Sequence, residues 1–487
     1  DRSLAPAPPA GVPPEIAANA RDWPLPGRDY LNSRTTTDST ISKRTVDRLE
    51  VAWEVPLPGR GGYGNAASTP LILGDTIYFQ DLSSNVRAID RATGAIRWEH
   101  LYNQFVIGPN GVAVGYGKLY AVKGLKDVVA LDLATGAELW STHIVNTSTE
   151  GIDIQPTVFG GLVFASTVPV SLDGIYRGGD RGVLTALDAE TGAIAWRFDT
   201  VDSPDLWGDP TINSGGGSWY TPAIDVDKGM IFWGVANPAP FPGVPGFPNG
   251  VSRPGPNLYT DSVVALDAQS GALRWYHQAI EHDLFDRDLI HTALIDLAQG
   301  SGRRRIAIGT GKLGRVLAHD EDTGALLWDT SVGIHENDQL TALDGKTRVL
   351  PGTFGGVLTP PAVGDGAIHV AVLNAPSTYL PDQTSYFGSD IGTMPGEVVR
   401  IDAKTGEIAW DVQVDGDPLG AATAVNDLVF TATFQGKIYA LDRATGDVVR
   451  TIDAAGGING WPAVAGDLLV YPVGLANPPR LVAYRVK

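Results

Sequence analysis

Cysteine is absent from these 487 residues. Without a thiol the chain carries no disulfide, no thiolate zinc site, no cysteine nucleophile and no haem attached through CxxCH. Positive charge is scarce too: 36 Lys and Arg stand against 55 Asp and Glu, a net charge of −19, with an isoelectric point near 4.7. Such an excess repels phosphate backbones and acidic membrane surfaces, so nucleic acid is not an expected partner, whereas a small basic protein would be steered in. No apolar run reaches the roughly 18 residues that cross a bilayer, so no membrane span is expected. The chain begins at Asp1 without a methionine or an apolar signal core, and reads as a processed form.

Glycine and proline are plentiful, at 59 and 34 residues, as in a turn-rich β protein. A hydrophobic content of 43% is enough for a large core, and this length implies two or three domains unless a repeat absorbs it. Residues 1–22, with APAPPAGVPPEI at 5–16, read as a stiff Pro-rich tether without a core of its own. Residues 23–487 are expected to form a single domain.

A repeat does absorb the length. An apolar strand ends in Asp, two residues and Thr or Ser follow, then Gly and a second apolar strand. Asp falls at 90, 132, 188, 267, 320, 402 and 442, and Trp stands eight residues later at 98, 140, 196, 275, 328 and 410, with Arg450 in the seventh copy. Asp bonds backbone amides two residues on and Gly takes the left-handed position, so each copy is a β-hairpin. The shortest steps, 40 and 42 residues, match one four-stranded propeller blade. The recurrent Trp is interblade packing. At the ends, LVAYRVK (481–487) supplies a first hairpin strand and LEVAWEVPL (49–57) a second. Paired, they close the ring as an eighth blade and remove its free edges. The fold class is therefore all-β, an eight-bladed propeller of four-stranded antiparallel blades closed by N- and C-terminal strands.

Two steps, of 79 and 82 residues, are about 40 residues too long for one blade, and their surplus should shape a binding face. The first contains GGGSW (215–219) and NPAPF (237–241), and HDLFDRD (282–288) follows. A glycine triplet admits close backbone approach to a ligand, or marks a bulge or tight turn. Asn237 before Pro238 is a turn starter or a ligand. Asp286 and Asp288 point the same way if their segment is extended, as a hard-cation site or general base would require, or they form a solvated acidic loop.

Together these motifs resemble the eight-bladed quinoprotein alcohol dehydrogenases, which use pyrroloquinoline quinone (PQQ) with a calcium or lanthanide ion. The resemblance rests on DWPLPGRDYLNSR (22–34) and on GGGSWYTPAID, NPAPF, RPGPNLYTDSVVALDAQSG and HDLFDRD in that order and spacing. It implies that Trp219 forms the floor beneath the quinone. Asn237, Asp286 and Asp288 would hold the metal, the last as in lanthanide-using members. Asp286 would be the catalytic base, Lys312 of GTGKLGRV would contact the reactive oxygens, and Asn374 of VLNAP and Thr167 of FASTVP would bind the cofactor. Other family features are missing. No vicinal disulfide is possible near Gln104 and Phe105, Ala67 and Asn110 replace a Glu and an Arg that anchor the cofactor, and Arg177 replaces the metal-binding Glu, with Asp173 or Asp180 as substitutes. The implied activity is oxidation of a small-molecule or polymeric alcohol in an extracytoplasmic compartment, with a soluble cytochrome or copper protein as electron acceptor. The alternative is a non-catalytic, protein-binding propeller similar to outer-membrane assembly lipoproteins, which share the AxDxxTGxxxW repeat.

Overall fold

The repeated turn dictates the architecture. At its first copy the Asp90 carboxylate accepts the N–H groups of Ala92 (3.0 Å) and Thr93 (2.9 Å) and the Thr93 hydroxyl (2.8 Å). Gly94, at φ +76°, returns its N–H to the Asp90 carbonyl. One bulge, between Ala88 and Ile89, then re-aims the outgoing strand. The same bonds recur at Asp132, Asp188 and Asp267.

The structure, a computed structural model, describes residues 10–59, 61, 63–170, 177–300, 302–387, 391–392 and 394–487. Eight antiparallel blades surround an axis. The first consists of Leu71–Leu73, Thr76–Gln80, Val86–Asp90 and Ile96–His100. The fourth contains Ala223–Asp225, Met230–Val235, Ser262–Asp267 and Leu273–Gln278, and the fifth His291–Gln299, Gly302–Thr310, Arg315–Asp320 and Leu326–Ser331. The eighth, Ala463–Ala465, Leu468–Val473 and Arg480–Val486, is completed by Leu49–Pro56, in register from Leu49 opposite Val486 to Pro56 opposite Arg480. The ring thus closes as the sequence implies.

Each motif Trp joins its blade to the next. Trp98 Nε1 donates to Leu133 O (3.2 Å), Trp196 to Ala268 O (3.1 Å) and Trp275 to Glu321 O (2.7 Å). The indole also covers the turn glycine of the following blade: a Cβ on Gly271 would lie 2.6 Å from Trp196, and one on Gly324 2.6 Å from Trp275. Gly271 has φ +71° as well, so conformation and contact both require glycine there. Arg450 does the equivalent job in the seventh blade, donating to Val46 O and Leu49 O of the chain that closes the ring.

The expectation of a tether at 1–22 fails for its described part. Pro14–Ala18 is a short helix whose Ile16 is buried in the core, and the Glu15 carboxylate accepts the N–H groups of Tyr116 (3.0 Å) and Gly117 (2.6 Å). Val12 packs on the same core, and the Gly11 carbonyl accepts Gly160 N–H and the Tyr116 hydroxyl. Downstream, Trp23 pairs with Ile72, and the carbonyls of Tyr30, Leu31, Ser33 and Arg34 accept amides of the fourth to seventh blades in turn.

In an up-and-down blade, the link into strand one and the link from strand two to strand three lie at one end, and the Asp-Thr-Gly turns lie at the other. Trp219 and Asp286 precede first strands, while Asn237, Lys312 and Asn374 follow second strands. The fold therefore delivers all five to the same end of the ring.

Candidate active site

The segment 282–288 is bent and not extended, so the condition under which its two acids would point the same way is not met. Asp283 holds the turn: one carboxylate oxygen accepts Phe285 N–H (3.0 Å) and Arg287 Nε (2.7 Å), and the other accepts Arg287 N–H (2.7 Å). Tyr379, from the second long insertion, donates its hydroxyl to Phe285 O (2.7 Å) and packs on the Phe285 ring at 5.3 Å. Asn249 of the first insertion donates to Leu343 O of the second. Both surplus stretches thus meet above this turn.

Within it, Asp286 takes φ +63°, a conformation that Asp tolerates better than most residues. Its side chain meets that of Lys312, whose Nζ lies 2.8 Å from Asp286 Oδ1 and 2.6 Å from Asp288 Oδ2. The two carboxylates do converge, but through a shared ammonium. Asp288 Oδ1 accepts the backbone N–H of Asn237 (2.9 Å), whose own amide donates to Pro238 O (3.0 Å). Lys312 Nζ also stands 4.5 Å from the centroid of the partly exposed Trp219 ring. Trp219, Asn237, Asp286, Asp288 and Lys312 thus form one connected cluster.

All three charged groups are nearly inaccessible, with Asp286 5%, Asp288 0% and Lys312 2% exposed. Burial pushes the Asp286 carboxyl well above the usual carboxylate range, Lys312 opposes this and Asp288 reinforces it. Burial raises Asp288 as well, again against Lys312. Burial works against the Lys312 ammonium, but the two aspartates outweigh it and raise its pKa. An aspartate in this setting is a stronger base than one in water once ionised, and a fixed cation 2.8 Å away stabilises the ionised form.

The two remaining expected cofactor contacts are held by protein partners. The Thr167 hydroxyl accepts Val183 N–H (3.0 Å), and the Thr167 carbonyl accepts Ser218 N–H (3.3 Å), which places it beside Trp219. Asn374 Oδ1 accepts Ile334 N–H (2.9 Å), and its Nδ2 donates to Glu397 Oε1 (2.7 Å) and Pro395 O (3.1 Å). The glycine triplet serves chain packing: a Cβ on Gly215 would lie 2.7 Å from Pro238 Cα, and one on Gly217 2.9 Å from Val168.

The residues expected to hold a metal do not form a ready ligand set. Among the described residues no group of three or more His, Asp or Glu side chains is arranged to hold an ion, and Lys312 stands between the two carboxylates offered as ligands. Arg177 is exposed. Asp180 is buried and accepts the Thr147 hydroxyl (2.6 Å), while Asp173 lies outside the described residues. Asn110, at the missing Arg position, donates to Asp81 O (2.8 Å).

One acid escaped the sequence reading. Asp261 is fully buried, neither carboxylate oxygen has a hydrogen-bond partner among the described residues, and its N–H reaches Ala236 O, next to Asn237. Burial holds its pKa well above the usual range, with Asp283 and Asp288 adding to the effect. The available signal was an acid placed directly before the apolar strand Ser262–Asp267.

A family model described as glucose/ethanol/alcohol dehydrogenase, β-propeller domain (PQQ), matches residues 23–108 and 146–336. One described as outer membrane protein assembly factor BamB matches residues 394–484, outside the cluster. The putative dehydrogenase XoxF of Paracoccus denitrificans is 27% identical over 91% of this chain and 84% of its own length. The dehydrogenase subunit of a quinone alcohol dehydrogenase from Komagataeibacter europaeus is 25% identical, over 96% and 71%. The quinohemoprotein alcohol dehydrogenase structure from Comamonas testosteroni superposes with a TM-score of 0.83 at 22% identity, over 97% of this chain and 81% of that one, a likeness of fold.

Proposed function

This chain belongs to the PQQ glucose/ethanol/alcohol dehydrogenase β-propeller family, and on that premise we propose that it is a PQQ-dependent dehydrogenase that oxidises an alcohol to an aldehyde or ketone. The observation that carries this reading is the Lys312 ammonium, bonded to Asp286 and set over the Trp219 ring. A partly exposed aromatic face with a buried cation at 4.5 Å suits a flat, electron-poor, anionic ring system. Trp219 and Lys312 would hold PQQ, which when bound supplies the two-electron acceptor.

The protein's own groups supply proton handling and orientation. Asp286, once ionised, accepts the alcohol hydroxyl proton on the oxygen not engaged by Lys312. Lys312 keeps that carboxylate in place. Phe285, Tyr379 and the two insertions that meet over the turn limit access of water. The Thr167 carbonyl holds the Ser218 N–H beside Trp219, and Asn374 is bonded to Ile334, Pro395 and Glu397. The substrate class is a small-molecule or polymeric alcohol. Electrons would pass to a soluble cytochrome or copper protein in an extracytoplasmic compartment, and the net charge of −19 favours a basic carrier.

The direct test adds PQQ to the purified chain and follows dye reduction across a panel of alcohols. Alcohol-dependent dye reduction that disappears in Asp286→Asn supports the reading. Failure to bind PQQ, or turnover unaffected by that substitution, rejects it.

A further inference from the structure

We propose that Lys312 is the resident cation of this site: its ammonium occupies the place between Asp286 and Asp288 where a metal ion would otherwise sit, so the site works without one. Nζ lies 2.8 Å from Asp286 Oδ1 and 2.6 Å from Asp288 Oδ2, close to the distances at which a hard cation binds oxygen. An ion between the same oxygens would have to share the space with a like charge or expel it. Lys312 has no easy exit, being 2% exposed and confined by the Trp219 ring at 4.5 Å. The neighbouring groups have protein partners as well. Asn237 presents its backbone N–H to Asp288, a donor that competes with a metal for the same carboxylate, and its side-chain amide nitrogen donates to Pro238 O. Asp180 is engaged with Thr147, and Arg177 stands where an anionic ligand was expected. A positive charge facing both buried carboxylates is therefore already supplied by the chain.

The assignment itself does not depend on quinone chemistry, although its consequence for cofactor binding rests on the dehydrogenase reading. The experiment keeps the two apart. Terbium(III) is titrated into the full chain without quinone while tryptophan is excited, since Trp219 is close enough to sensitise an ion held at this position. The wild type is expected to give no stoichiometric sensitised emission. Lys312→Ala, which leaves two facing carboxylates without their cation, is expected to bind terbium at least about 100-fold more tightly, and the gain should vanish in Lys312→Ala with Asp288→Ala. Lys312→Met, which keeps most of the side-chain volume, covers the case in which the alanine variant does not fold. Stoichiometric terbium binding by the wild type that is lost in Asp288→Ala would overturn the proposal, as would folded Lys312 variants that gain no affinity. In parallel, PQQ quenching of wild-type tryptophan fluorescence is measured with EDTA, with calcium and with lanthanum. Equal affinity in all three supports the assignment, and affinity that requires an ion overturns it. No quenching under any condition defeats the quinone reading alone, because the terbium comparison contains no quinone.

Discussion

Six turn-end aspartates and three at the site end are shifted in opposite directions. At the turn end the carboxyls of Asp90, Asp132, Asp188, Asp267, Asp320 and Asp442 are all held below their ordinary pKa, in each case first by a side-chain hydrogen bond, from Arg97, Thr135, Thr191, Arg274, Arg304 and Lys43 respectively. At the site end Asp261, Asp286 and Asp288 are held above it, first by burial. The turn acids face water and satisfy local amides, so they stabilise the fold. The site acids are buried beside one another with one lysine among three, an arrangement that costs stability and yields reactivity. At the turn end this residue type serves structure; at the site end it serves structure in Asp283, whose pKa Arg287 holds down despite burial, and chemistry where burial outweighs the nearby cation.

The contrast is broken most severely at Asp286. Asp286→Asn keeps the shape but removes the proton acceptor, and turnover with PQQ should fall by about 10² to 10⁴-fold. Stability should hold or rise, because a buried acid facing Asp288 is lost. In the wild type, turnover should increase with pH and level off only above the ordinary carboxylate range, since Asp286 must lose a proton that burial helps it retain. A pH profile already flat at the ordinary aspartate pKa, or a folded variant with wild-type turnover, would remove Asp286 from the role of base.

The next comparison sets one tryptophan against another. Trp196 is buried, bonded to Ala268 O and covered by the Gly271 turn, so Trp196→Ala should cost about 3 to 5 kcal/mol of unfolding free energy. Trp219 is only partly buried, and Trp219→Ala should cost less while abolishing PQQ quenching. Denaturant titration and fluorescence quenching on both variants separate the roles. Equal destabilisation with unchanged quenching would make Trp219 ordinary packing.

How much of this was legible follows from the same contrast. The turn end is encoded locally. Asp, Thr, Gly and Trp stand within nine residues of one another and repeat, so hairpin, blade and ring follow from spacing, including the closing pair of LEVAWEVPL with LVAYRVK. The site end is assembled from positions 219, 237, 286, 288 and 312, and only a resemblance to a known family could join those. What stayed hidden depended on burial and on side-chain partners. The sequence does not show that Asp283 folds 282–288 into a turn, that Lys312 stands between the aspartates, that Asn374 is committed to Glu397, or that Ile16 docks a proline-rich leader. Asp261 was in plain view in NLYTDSVV, but its significance lies in having no partner, which no motif records.

Asp261 makes stability depend on pH. Its folded pKa is raised, so the folded chain binds this proton more tightly than the unfolded chain, and the contribution to stability is greatest at low pH and is lost as pH rises above the ordinary carboxylate range. Asp261→Asn, which suits the residue's φ of +51°, removes that penalty. The variant should be more stable than wild type by about 1 kcal/mol at pH 8, with little difference at pH 4, in chemical denaturation at both values. A wild-type advantage at pH 8 would mean that Asp261 has an ionic partner.

Asp188 should show the smallest effect, with the opposite sign. Its carboxylate accepts Glu190 N–H (3.1 Å), Thr191 N–H (2.8 Å) and the Thr191 hydroxyl (2.8 Å), and these bonds hold its pKa down, the Thr191 side chain first. A depressed folded pKa means that stabilisation is present above the ordinary carboxylate range and is lost as pH falls through the folded value. The group faces solvent, and water replaces much of what is removed, so Asp188→Ala should cost under about 1 kcal/mol at pH 7. The turn also keeps the Gly192 N–H bond to the Asp188 carbonyl, and the neighbouring blades keep their own turns. The deficit should shrink between pH 5 and pH 2, whereas the Asp261→Asn advantage should grow from pH 4 to pH 8. Turnover should be unchanged, because the turn lies at the far end of its blade from Lys312. A loss of activity without a loss of stability in Asp188→Ala would show that the two ends of the ring communicate, and that the division between structural and reactive aspartates is not as clean as their surroundings imply.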